Sequence, residues 1–82
     1  MTESVSRIRV LVAEDDDNAR SLLIDLLSTL GHTIVAEVST GREAYERAKD
    51  VVPDVVLLDV HMPDGSGIEA AERITQNVPG VA

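Results

Sequence analysis

An α/β domain built on a parallel sheet is what this sequence predicts, and three observations predict it. Short runs of Val, Leu, Ile and Ala alternate three times with longer amphipathic stretches, in the order βαβαβα. The first and third runs are apolar without alternation, as in strands covered on both faces. Caps and breakers fall at the boundaries between runs: Asp16-Asp17, Gly31, Thr40, Pro53 and Pro79-Gly80.

Each element has its own justification. Ile8 to Ala13 is a β-rich run, continuous in apolar character after Arg9, and it stops abruptly at Glu14-Asp15-Asp16-Asp17. A helix follows, with Asp16 or Asp17 as its N-cap and Gly31 just past its end. Ala19, Leu22, Leu23, Leu26, Leu27 and Leu30 fall on the face expected to be buried. Thr33 to Val38 alternates more, as an edge strand does. Thr40-Gly41-Arg42-Glu43 is a capping box that opens a second helix reaching about Lys49. After Pro53, Val55 to Leu58 forms the third strand, ending at Asp59. Ser66-Gly67-Ile68-Glu69 is a second capping box, and the third helix runs to about Thr75. A parallel sheet with right-handed crossovers is the expected product.

With 82 residues the chain makes one domain. Its formal net charge is −8 and Tyr45 is its one aromatic residue. An acidic field repels a phosphate backbone, and one aromatic ring offers no base-stacking platform, so direct nucleic-acid binding is not expected. The absence of cysteine rules out disulfides, zinc–thiolate sites and thiol redox chemistry, in keeping with a reducing cytoplasm. Met1 to Arg7 is polar and lacks the apolar core of a signal peptide, and Val55 to Leu58 is far too short to span a bilayer. Arg7 and Arg9 read as solvated, and His32, beside Gly31, as a residue of an exposed turn.

The chemistry-bearing residues lie at strand ends. In an open parallel sheet, functional groups gather beyond the carboxyl ends of the strands. Glu14 and Asp15 follow the first strand and Asp59 ends the third, so topology brings three carboxylates from separate stretches to one pocket. Such a cluster raises a carboxyl pKa or recruits a cation, and an all-oxygen donor set suits Mg²⁺. A carboxylate is also a competent nucleophile toward phosphorus. Solvated loops and helix caps carry the same residue types, so on topology alone both readings stand.

At these residues the sequence resembles the receiver domain of bacterial response regulators. Val10-Leu11-Val12-Ala13-Glu14-Asp15-Asp16 is similar to the family's first strand and acidic pair. Leu57-Leu58-Asp59-Val60-His61-Met62-Pro63 is similar to its phosphoacceptor segment, and Gly65-Ser66-Gly67-Ile68-Glu69 to the turn and helix that follow. The resemblance implies a flavodoxin-like, doubly wound sheet in strand order 2-1-3, with residues 1–82 forming the N-terminal portion of a receiver. It implies that Asp59 accepts phosphate from a histidine kinase. Asp15 would ligate Mg²⁺ (or Mn²⁺) directly, Glu14 through water, and the backbone carbonyl of His61 would add a further oxygen. The His61 side chain would either tune phosphate loss or be a plain loop residue. Met62 and Pro63 would shape the loop, and Gly67 would permit tight entry into the third helix.

The departure from the family is that the chain ends where its fourth strand is expected to begin. The switch Ser/Thr of the fourth strand, the Lys of the fifth and its aromatic neighbour have no counterpart here. Two classes follow from that. One is a phosphoacceptor signalling module, without enzyme turnover on a separate substrate. The other is a degenerate receiver that only dimerises or sequesters a kinase. With the third strand at an edge, self-association through that edge is expected. A Mg²⁺-dependent phosphohydrolase is disfavoured, since no second Asp follows Asp59 at acid–base spacing.

Overall fold

The computed structural model describes residues 7–59, 62 and 66–81. Its elements are β1 (Arg9–Ala13), α1 (Asp17–Thr29), β2 (Thr33–Val38), α2 (Gly41–Val51), β3 (Val55–Leu58) and α3 (Ser66–Asn77). Both later helices run about two residues past their predicted ends, within the ordinary fraying of helix termini.

Among the described residues the strands form one parallel sheet in the order β2-β1-β3, as expected. β1 pairs Ala13 with Val38 on one side and with Leu58 on the other, and a register shift falls between Val10 and Leu11 on the β2 side. From β1 the chain moves to one edge and then crosses back to the other. Right-handed crossovers then put α1 on one face and α2 on the opposite face, where α3 packs beside it. From Val10 to Ala13 β1 is covered, with Leu11 and Val12 at 0% exposure. Alternation sends Leu11 and Ala13 into the α2–α3 side, where they meet Ala36, Val38, Ala44, Ala48, Met62, Ile74 and Val78.

Local sequence explains the helix ends. Asp16 is the N-cap of α1, its carboxylate accepting the Ala19 N–H at 2.8 Å. At the other end Gly31, at φ 93°, allows a Schellman closure: His32 N–H to the Leu27 carbonyl and Gly31 N–H to that of Ser28, both 3.0 Å. Thr40 caps α2, accepting the Glu43 N–H at 3.1 Å, and Glu43 reaches back to the Ser39 N–H at 3.3 Å. These contacts, the Ser39 N–H foremost, hold the Glu43 carboxyl below its ordinary pKa against the opposing effect of burial. Ser66 is already inside α3 rather than its cap, and its Oγ accepts the Gly41 N–H at 2.8 Å. The two helix starts touch there: a Cβ on Gly41 would sit on the Ser66 backbone carbonyl.

Further expectations need correction. The third strand, read as covered on both faces, lies at the sheet edge and is only half-buried, with Leu57 36% exposed. Only part of the predicted α1 face is covered, because α1 rests chiefly on β1 and β2. Leu22, Leu26 and Leu30 project past that support and are 71%, 57% and 57% exposed. Arg9 is not simply solvated: its Nη1 and Nη2 donate to the carbonyls of Val52 and Val51, each at 2.7 Å. His32 is half-buried, with Nδ1 facing the Ile8 N–H at 3.4 Å. Among the described residues no helix is long and apolar enough to cross a membrane.

Candidate metal centre

The site begins where the ladder of β1 runs out. Glu14 N–H donates to the Val38 carbonyl at 3.1 Å, and Asp59 N–H donates to the Ala13 carbonyl at 3.0 Å. Both residues are thus fixed by backbone bonds one step beyond the strands, and alternation puts their side chains on the α1 face. Val12 and Leu57, two positions earlier, lie on the same face.

The structure brings together the three predicted carboxylates. Glu14, Asp15 and Asp59 each offer an oxygen, and these oxygens lie within 4.8 Å of one another. Glu14 and Asp59 are half-buried, and Asp15 is exposed. The group stands at the mouth of an open depression of about 320 Å³ lined by Ala13, Glu14, Leu23, Leu57, Leu58 and Asp59. A comparable groove of about 300 Å³ runs between α2 and α3, but among the described residues no such convergence of donor atoms occurs in it. Donor chemistry, not volume, picks out the acidic site.

The electrostatics of the cluster show the strain of crowding. Glu14 Oε2 accepts the Asp16 N–H at 3.1 Å, a bond that lowers its pKa. Partial burial, hydrogen bonding to Asp15, and the charge and hydrogen bonding of Asp59 act the other way, and together they raise it above the ordinary value. The excess of negative charge is one that a hard dication relieves, and three carboxylate oxygens form a fitting donor set for Mg²⁺.

His61, whose backbone carbonyl was expected to complete the set, lies outside the described residues, as does Pro63. Met62 is buried in the core and Gly67 is buried at the start of α3. One residue at the site has no signal in the sequence reading. Arg20, on the first turns of α1, donates from Nη1 to the Glu14 carbonyl at 2.8 Å and pairs through Nη2 with Asp17 at 2.5 Å. Its spacing from Asp17 could have suggested the ion pair, but nothing local points to the Glu14 carbonyl.

Comparison with known proteins agrees with this geometry. Residues 10–82 match the family described as response regulator receiver domain. CheY, the chemotaxis protein of Thermotoga maritima, is 37% identical over 71 residues, covering 87% of this chain and 59% of CheY. LnrK, a transcriptional regulatory protein of Bacillus subtilis, is 36% identical over 75 residues, covering 90% of this chain and 34% of LnrK. The chain therefore spans between a third and three-fifths of the length of these relatives. Among solved structures, the response regulator domain of Thermotoga maritima CheB superposes with a TM-score of 0.84 at 36% identity, over 93% of this chain and 58% of that one. A parallel sheet in order 2-1-3, carboxylates at the ends of its first and third strands, and a family match over nearly the whole chain agree: this chain belongs to the response regulator receiver family of two-component signal transduction.

Proposed function

We propose that the chain is a phosphoacceptor module in which Asp59 takes a phosphoryl group from a histidine kinase while Glu14 and Asp15 hold Mg²⁺ beside it. The observation that carries this reading is the convergence of three carboxylate oxygens within 4.8 Å at the ends of β1 and β3. Asp59 comes from a different strand end than the other two acids and is the natural nucleophile, whereas Glu14 and Asp15 are adjacent and suited to holding an ion. An oxygen of the Asp59 carboxylate forms the new bond to phosphorus. The bond from phosphorus to the kinase imidazole breaks, and the departing ring nitrogen keeps the electron pair and takes up a proton. Bound Mg²⁺ would supply charge neutralisation on the phosphoryl oxygens. The protein's own contribution is placement: the backbone bonds of Glu14 and Asp59 fix the carboxylates before any partner arrives. This is signalling chemistry in the cytoplasm, not turnover of a separate substrate.

Incubation with Mg²⁺ and a small acyl phosphate, followed by intact mass measurement, tests the reading. A single phosphate adduct on the wild type and none on Asp59→Asn is the expected result. An adduct on neither protein, or on both alike, overturns it.

A second reading, association of the chain with itself, is favoured by a separate observation. Leu22, Leu26 and Leu30 form an exposed apolar stripe, and Leu57 on the edge strand β3 is 36% exposed. An apolar edge with unpaired backbone is a template for another strand. Sedimentation at micromolar concentration should detect dimers or larger species, and a lone monomer over that range rejects this reading.

A further inference from the structure

We propose that Arg20 is a positioning residue for the acidic site, holding the Glu14 peptide so that Glu14 and Asp15 leave β1 directed at Asp59. The inference rests on the reading of that site as a metal centre.

Three observations carry it. First, Glu14 lies one step past the ladder, where its N–H still finds the Val38 carbonyl but, among the described residues, no strand N–H donates to its own carbonyl. Arg20 Nη1 fills that place at 2.8 Å. Second, the Arg20 side chain is only 19% exposed, so its bond to the carbonyl is partly shielded from water and is the stronger for it. Third, the cation spares the site. A guanidinium this close to three acids would ordinarily pair with them and cancel the charge that attracts a metal. Arg20 instead places its second arm on Asp17, whose side chain is 87% exposed and which is not one of the three clustered acids. Glu37 and Glu43 line a small pocket with Arg20 on the β2–α2 side. The fork therefore ties the strand end to the first turn of α1.

Positioning and plain electrostatics predict opposite results. Removing a positive charge beside an acidic site should, by Coulomb's law alone, tighten cation binding. Losing the clamp on the Glu14 carbonyl should weaken it, roughly tenfold by analogy with other residues that orient metal ligands. Mn²⁺ titration by calorimetry on the wild-type chain, Arg20→Gln and Arg20→Lys separates the two, at a temperature where circular dichroism finds each protein native. The expected order of affinity is wild type, then Arg20→Lys, which keeps one donor but not the fork, then Arg20→Gln. Arg20→Gln binding Mn²⁺ as tightly as the wild type, or more tightly, overturns the inference and leaves the metal-site reading intact. Should Arg20→Gln fail to fold, Arg20→Lys decides alone: weaker binding than wild type supports positioning, and equal binding overturns it. A wild-type chain that binds no Mn²⁺ overturns the site reading and this inference together.

Discussion

Arg9 Nη1 donates to the carbonyl of Val52 at 2.7 Å, and Val52 itself sits at φ 43° in the left-handed region. A β-branched residue is poorly suited to that conformation, at a cost on the order of 1–2 kcal/mol. The strand start and the helix end hold each other there, since Asp54 also accepts the Arg9 N–H at 2.9 Å and donates its own N–H to the Arg9 carbonyl at 2.8 Å. Val52→Gly should therefore stabilise the chain by roughly 0.5–1 kcal/mol, the relief of strain exceeding the added freedom of the unfolded chain. Arg9→Ala should destabilise it by about 1–2 kcal/mol through loss of its bonds to two carbonyls. Urea midpoints at constant slope measure both.

Gly41→Ala tests the contact between the starts of α2 and α3. The new Cβ meets backbone, the Ser66 carbonyl, and cannot be accommodated by a side-chain rotation. The expected loss is about 1–3 kcal/mol. Ser66→Ala, which removes the acceptor of the Gly41 N–H but adds no bulk, should cost about 1 kcal/mol.

The α2 cap predicts a pH dependence. The Glu43 carboxyl is depressed in the folded chain, so its contribution is fully present above the ordinary glutamate pKa and is lost as pH falls through the lower folded value. The difference in melting temperature between wild type and Glu43→Gln should be visible at pH 7 and vanish on acidification below the ordinary carboxylate range. A difference that persists unchanged at low pH would contradict the assignment. Thr40→Ala, which removes the side-chain acceptor of the Glu43 N–H and a hydroxyl donor to its carboxylate, should cost about 1 kcal/mol at pH 7 and less on acidification.

Mg²⁺ should stabilise the wild-type chain by mass action, about 2.7 kcal/mol at a hundred times its dissociation constant. Asp15→Asn and Asp59→Asn should lose most of that gain. In metal-free buffer the order changes: Asp59→Asn should be at least as stable as wild type, because one of three crowded negative charges is gone. Thermal melts with and without Mg²⁺ read both effects.

Replacing Leu22, Leu26 and Leu30 together by Gln should change folding stability little, within about 0.5 kcal/mol per site, because all three project from the fold. The same variant should sediment as smaller species than the wild type at equal concentration.

Much of this was legible beforehand because local chemistry and strand periodicity carried it. Asp16, Gly31 and Thr40 announce helix ends through their own side chains or backbone freedom, and the continuous apolar run before Glu14 announces a covered strand. Glu14, Asp15 and Asp59 could be brought together from topology, since a parallel sheet collects its strand ends on one side. Leu22, Leu26 and Leu30 were misplaced because periodicity identifies an apolar face but not the width of the sheet beneath it. Arg9 and Arg20 were missed for a different reason. Their acceptors are backbone carbonyls, which every residue possesses, so no side-chain pattern in the sequence distinguishes Val52 or Glu14 as a partner.

The last rungs of the ladder, Ala13 beside Leu58, have one further consequence. Continuing that register places Glu14 opposite Asp59, at the spacing of neighbouring strands, about 4.8 Å. The separation of the two strand-end backbones under the acidic cluster is thus a dimension of the sheet, and a slip of β1 against β3 would change it for both acids at once.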